Sequence, residues 1–236
     1  MTTSSLVKTA ARLAAVVLTL QWLGVPAAAQ EAAPAQPARG NGGFVEGRDY
    51  LTLPRQQPTS EQMKSGQVEV AEVFMYGCPG CFELEPHLEK WLGAKPDYIH
   101  FVRLPAVWNG LAELHARAYY TAQILGKNAA IDGPFFNEIH VKGNMLDSVD
   151  LLTALFARFG VTEKAFRDAF YSPAVDEDMA HADDLVTRYR VGMTPTVVVN
   201  GKYLTSGTMA GTYARWFAII ESLAASEHLA PAGAAH

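Results

Sequence analysis

Apolar positions along the chain follow two rhythms. Val68 to Met75 (VEVAEVFM) is apolar on both faces, the pattern of a parallel strand covered from both sides. Phe44 to Leu53 (FVEGRDYLTL) reads as a short first strand, and the Pro-rich PRQQPTSEQ after it as a loop. Tyr98 to Leu104 (YIHFVRL) reads as the next parallel strand, with the segment from Pro79 as the crossover helix of a βαβ unit. Pro86 inside that helix predicts a kink. From about Asn109 to Arg190 only helical signals follow: Leu111–Leu125, Pro134–Val141, Val149–Phe159, Thr162–Phe170 and Val175–Tyr189. Gly126, Gly143 and Gly160 fall where C-caps belong. The β rhythm resumes at Val191. Asn200-Gly201 separates Val197-Val198-Val199 from Lys202-Tyr203-Leu204, a strong hairpin signal. Ala210 to Leu223 closes the pattern as an amphipathic helix burying Tyr213, Trp216, Phe217, Ile220 and Leu223.

The two ends differ in composition. Residues 1–29 read as a signal peptide, with Lys8 and Arg12 before an apolar core from Leu13 to Leu23 and Ala27-Ala28-Ala29 before Gln30. That core is short for a membrane span. Residues 30–43, rich in Ala, Pro, Gly and Gln, read as a flexible linker, and residues 227–236 as a loose, Ala-rich tail. The stretch between them is long enough for one domain with a real core. A net charge of −5 without a basic cluster gives no sign of nucleic-acid binding.

Sulfur chemistry is confined to one place, because Cys78 and Cys81 are the only two cysteines. They lie in Cys78-Pro79-Gly80-Cys81, where the apolar strand ends and the helix begins. A helix start presents unpartnered N–H groups and partial positive charge, which favour a thiolate over a thiol. Pro79 suits the first helical position. Cys78 is therefore expected to be the exposed nucleophile and Cys81, one turn in, the shielded resolving thiol of a small disulfide. A structural bridge over so short a span constrains the unfolded chain little. A zinc site lacks further ligands at suitable spacing, so no metal is expected.

Other residues qualify that picture. Glu72, six residues before Cys78, is the charged exception in the buried strand, where desolvation raises its pKa and suits it to relay a proton to the inner thiol. Glu83 and Glu85 suit the helix start, yet as nearby carboxylates they oppose ionisation of Cys78. Pro195 begins a strand, where a missing N–H is tolerable, and from the residues alone its bond is expected to be trans. Of the seven histidines, His87, His100, His115, His140 and His181 read as satisfied or surface residues. His115, Tyr119 and Tyr120 fit either a groove beside the active site or helix packing.

The order of strand, CxxC helix, parallel strand, helical interruption, Thr-Pro strand, hairpin and final helix resembles an α/β thioredoxin fold with an inserted all-helical subdomain. Frame residues would then be 44–108 and 191–226, and the insertion 109–190. More specifically, the chain resembles the DsbA family of periplasmic thiol:disulfide oxidoreductases, through Phe44-Val45-Glu46-Gly47, Phe74-Met75-Tyr76-Gly77-Cys78-Pro79-Gly80-Cys81, Gly133-Pro134-Phe135-Phe136 and Val191-Gly192-Met193-Thr194-Pro195-Thr196. The resemblance implies a cis Pro195 facing the cysteines, Thr194 backbone pairing with an extended substrate, and Glu72 as the family's buried acid. It also implies a monomeric periplasmic oxidase with no cofactor beyond its Cys78–Cys81 disulfide, acting on reduced or unfolded exported proteins and reoxidised by a DsbB-like, quinone-linked membrane protein. Gly80 departs from the His common at that position, which implies a weaker oxidant. Two alternatives remain. A reductase or isomerase arm of the DsbC type would need a dimerisation domain for which Gln30 to Val68 leaves little chain, and a redox-silent chaperone or peptide-binding module would use only the groove at Thr194-Pro195.

Overall fold

The computed structural model describes residues 41–230. The expected signal peptide at 1–29, most of the expected linker and residues 231–236 lie outside the described residues.

Five strands form one sheet in the order β1-β5-β4-β2-β3, with β1 at Leu51–Thr52, β2 at Val68–Phe74, β3 at Ile99–Pro105, β4 at Thr196–Val199 and β5 at Tyr203–Ser206. β2 is buried along its whole length and pairs parallel with β3. Helix α1, Pro79–Leu92, is the crossover between them and continues through Pro86. β4 pairs antiparallel with the other side of β2, Val73 opposite Thr196. This register decides the position of the site. Because the two strands run in opposite directions, the residues just before β4 lie beside those just after β2.

Between β3 and β4 come α2 (Gly110–Ile124), α3 (Asn128–His140), α4 (Val149–Ala157), α5 (Glu163–Phe170) and α6 (Pro173–Arg188). Side chains of Asn109, Ser148, Thr162 and Ser172 cap α2, α4, α5 and α6 by accepting from a backbone N–H three residues on. α2 ends in a Schellman motif at Gly126, φ 65°, with Lys127 N–H bonded to the Ala122 carbonyl at 2.7 Å. A short helix, α7 (Gly207–Ala210), precedes α8 (Tyr213–Leu229).

Two apolar layers cover the sheet. Val68, Val70, Val197 and Val199 pack with Leu84, Leu88 and Trp91 of α1 and with Trp216, Ile219, Ile220 and Leu223 of α8. Ala71, Val73 and Phe74 pack into the core of α2–α6, with Tyr119, Phe135, Phe136, Phe156, Phe166 and Phe170. Cys81 belongs to this second core.

Several boundaries differ from the sequence reading. The first strand is confined to Leu51–Thr52. Residues 45–50 fold into a turn instead, because the Val45 carbonyl accepts from Asp49 N–H at 2.8 Å while the buried Asp49 carboxylate accepts from Val45 N–H at 2.8 Å. α3 starts at Asn128, ahead of the expected Pro134, and tolerates that proline internally. α8 runs to Leu229, so residues 227–229 are helical rather than tail. Glu72 is also not the single buried acid of β2. Glu69 is buried too, accepting from Ser60 Oγ at 2.6 Å and from the Ser60 and Glu61 amides.

Candidate active site

Cys78 occupies the N-cap of α1 with extended backbone angles, φ −85° and ψ 118°, and Pro79 is the first helical residue. In α2, α4, α5 and α6 that position holds an oxygen; here it holds sulfur. The helix lacks an acceptor for its first N–H groups, and a Cys78 thiolate supplies one. Cys78 is half-buried and Cys81 is fully buried, and both thiols are free.

The two sulfurs are pushed in opposite directions. The Cys78 thiol is lowered to about 5 from its ordinary value, chiefly because the Cys81 thiol donates to its anion. Burial opposes this, while Thr194 and the amides of Cys81 and Gly80 add to it. Cys81 is pushed far up by the same hydrogen bond to Cys78, by burial and by the charge of Glu72. One sulfur is thus an anion at neutral pH and the other holds its proton.

The loop before β4 closes over this pair. The Thr194–Pro195 bond is cis, the form the family resemblance implies and not the trans form expected from the residues alone. The Cys78 Sγ–H, when protonated, donates to the Thr194 carbonyl at 3.3 Å. Gly80 lies against the same loop: a Cβ placed there would be 3.2 Å from Pro195 Cδ and 4.0 Å from Cys78 Sγ. A side chain at that position would crowd the proline, so glycine lets the loop and the helix start approach closely.

Below the cysteines, Glu72 is 1% exposed and accepts from Arg103 Nε at 3.0 Å, while its Oε1 has no partner. Burial raises its carboxyl despite the guanidinium. Glu85 and Asp132 bind the same Arg103, and the Tyr76 hydroxyl donates to Asp132. Burial pushes Glu85 up to about 7. His140 donates from Nε2 to the Tyr76 carbonyl at 2.8 Å and stacks on Phe82 with ring centres 4.7 Å apart.

The structure therefore gathers Glu72, Cys78, Pro79, Gly80, Cys81, Thr194 and Pro195 in one place. Arg103, Glu85, Asp132 and Tyr76 complete the site and were not read from the sequence in these positions. Arg103 had a legible signal, since Glu72 and Arg103 are each the fifth residue of adjacent parallel strands and pair across the register. Glu85 is bound to Arg103. His115 is a packing residue, buried against Tyr76 and Phe135 with Nε2 bonded to the Met145 carbonyl at 3.0 Å. Among the described residues no group of three or more His, Cys, Asp or Glu is placed to hold a metal ion. None of the described helices is long and apolar enough to cross a membrane.

Residues 99–212 match the DSBA-like thioredoxin domain family. The thiol:disulfide interchange protein DsbA of Burkholderia cepacia is 34% identical over 183 residues, 78% of this chain and 82% of its own length. That of Azotobacter vinelandii is 34% identical over 157 residues, 66% of this chain and 72% of its own. The chain belongs to the DsbA family. It is accordingly a thiol:disulfide oxidoreductase with an α/β, DsbA-like thioredoxin fold. The crystal structure of Pseudomonas aeruginosa DsbA matches it with a TM-score of 0.73 at 31% identity, covering 78% of this chain and 94% of that one. The Neisseria meningitidis oxidoreductase NmDsbA3 matches at a TM-score of 0.65 and 26% identity, covering 78% of this chain and 97% of that one.

Opposed thiols in a DsbA-family site fix the sign of a pH effect. In the reduced chain Cys78 ionises at about 5 when folded but near 9 when unfolded. Its stabilisation is therefore complete above pH 9 and lost as the pH falls through 5. Glu85, raised when folded, acts oppositely between the ordinary carboxyl range and about pH 7, but in both redox states. The stability of the reduced over the oxidised form should then increase from pH 5 to 9. About 1 to 2 kcal/mol is expected once solvent screening at a half-buried sulfur is allowed for. Urea midpoints of both forms across this range test it, and a gap that is flat or narrows with rising pH contradicts it.

Proposed function

We propose that this DsbA-family chain is an exported disulfide donor that oxidises cysteine pairs in secreted proteins, with Cys78 as nucleophile-accepting sulfur and Cys81 as resolving sulfur. The observation that carries this is the Cys78 sulfur at the N-cap of α1, lowered to about 5. A stabilised thiolate stabilises the reduced enzyme, which makes the corresponding disulfide an oxidant. It also makes Cys78 a good leaving group.

An incoming substrate thiolate attacks Cys78 Sγ, the Cys78–Cys81 bond breaks, and its electron pair leaves on Cys81. Glu72 supplies the proton that Cys81 then holds. The second substrate thiolate attacks the substrate sulfur of the mixed disulfide, releasing an oxidised product and the Cys78 thiolate. The half-buried loop at Thr194-Pro195 offers backbone to an extended substrate segment beside the reacting sulfur.

Residues 1–29 support export to the periplasm, an oxidising compartment that suits this chemistry. The redox pair is the sole cofactor in this reading, the chain acts as a monomer, and a DsbB-like, quinone-linked membrane protein withdraws the electrons. Reduced or unfolded exported proteins are the substrates.

Two measurements test these assignments. Mature Cys78→Ser should lose dithiol oxidation of a reduced, unfolded protein by at least about 100-fold, and Cys81→Ser, which cannot form the Cys78–Cys81 disulfide, should lose it as well but trap a mixed disulfide on Cys78 when given a disulfide-containing protein whose bond the Cys78 thiolate attacks. Retained turnover in Cys78→Ser would move the chemistry elsewhere. Gly80, lacking an imidazole, should leave this chain less oxidising than a relative with His there. Redox titration of both against glutathione checks this, and an equal or more oxidising potential here would mean Gly80 is compensated.

A further inference from the structure

Behind the cysteines three carboxylates converge on one guanidinium. Arg103 of β3 donates to Glu72 of β2 at 3.0 Å, to Asp132 of α3 at 3.3 Å and to Glu85 of α1. The Glu72, Glu85 and Asp132 side chains are 1%, 23% and 17% exposed, and Arg103 is 11% exposed. Two further groups touch the cluster. The Tyr76 hydroxyl donates to Asp132 Oδ1, and the Tyr119 hydroxyl of α2 donates to the Arg103 carbonyl at 3.4 Å. Of the three acids it is Glu72 whose charge bears on Cys78 and Cys81.

If all three acids ionised, two negative charges would stay uncompensated in a partly buried site, so the cluster retains a proton near neutrality. Hydrogen bonding decides where that proton resides. Burial raises the Asp132 carboxyl, while Arg103 and the donors on both its oxygens, Tyr76 on Oδ1 and Arg103 on Oδ2, pull it back toward the anion, so that Asp132 is the one acid of the three with each oxygen held by a donor to its charge. Glu72 has one oxygen on Arg103 and the other without a partner. It is the acid equipped to carry a proton.

We infer that Asp132 is a positioning residue for disulfide transfer: its charge, pinned by Tyr76 and Arg103, displaces the proton of the cluster onto Glu72 and Glu85, so that Glu72 is protonated when Cys81 leaves. This rests on the disulfide-donor reading above. The step balances as follows: the incoming thiolate bonds to Cys78 Sγ, the Cys78–Cys81 bond breaks with its electron pair on Cys81, and the Glu72 proton passes to Cys81. The Glu72 carboxylate that results is held by Arg103. Glu85, Arg103 and Asp132 also line an open groove of about 1030 Å³, through which water can return a proton to the cluster.

The test follows carbon-labelled glutamate carboxyls by NMR in the full mature chain. It is paired with the pH profile of single-turnover reduction of the Cys78–Cys81 disulfide by a dithiol peptide. In Asp132→Asn the Glu85 midpoint should fall from about 7 by at least about one pH unit, the effect of removing a negative charge bound to the same guanidinium in a partly buried site. The alkaline decline of the rate should move down with it. Asp132→Glu, which keeps the charge, should restore both. Unchanged midpoints in Asp132→Asn overturn the inference, as does an equal shift in Asp132→Glu, which would show packing rather than charge. If Asp132→Asn fails to fold, Tyr76→Phe serves. Losing the hydroxyl lets Asp132 take up the proton, so the Glu85 midpoint again falls, and no movement overturns the inference. Failure of the wild type to oxidise the peptide defeats the donor reading itself, and the carboxyl titration still decides the role of Asp132.

Discussion

A sulfur atom at the start of α1 takes the place that a hydroxyl or amide oxygen holds at the other capped helices. Backbone N–H groups that need an acceptor find one in the Cys78 anion, and the neighbouring Cys81 thiol donates to it as well. That single arrangement separates the two sulfurs into an anion facing solvent and a protonated thiol in the core. Everything else in the site either holds this geometry or manages the proton it displaces.

The sheet supplies the first of these services. β2 delivers Cys78 at its carboxyl end, and antiparallel β4, in register at Val73 and Thr196, returns the chain to the same spot with Pro195 leading. Gly80 permits the close approach of helix and loop that a larger residue would disturb. The helices between β3 and β4 supply the second service. Through Asp132 of α3, which accepts from Tyr76 in the turn between β2 and α1, they reach under the active site and bear on the acids around Arg103. The helical layer is thus electrostatically part of the redox centre as well as a cover for the sheet.

How far the sequence disclosed this depends on whether the information is local. Strands with apolar residues on both faces, C-cap glycines and the CxxC placement are local signals, and they point to the elements that exist. Glu72 was legible for a similar reason: a carboxylate amid Val and Ala in a buried strand calls for explanation. The failures arise where individual side-chain contacts decide. Phe44–Leu53 has strand-like composition, but the Asp49 carboxylate captures the Val45 amide and bends the chain first. Glu85 reads as a helix-start acid until β3 places Arg103 beside it. Asp132 carries no signal at all, because only the packing of α3 against the sheet brings it to the same guanidinium. The cis form of Pro195 came from family resemblance and not from its neighbours in the chain.

Ionisation of Cys78 is the property on which the account turns, and it can be read directly from the ultraviolet absorbance of the thiolate as the reduced, mature protein is titrated, with Cys78→Ser as the blank. The account predicts a midpoint at about 5, with Cys81 remaining protonated throughout the neutral range. A midpoint at or above that of an ordinary cysteine would show that the helix start does not stabilise the sulfur, and would contradict the disulfide-donor mechanism at its base.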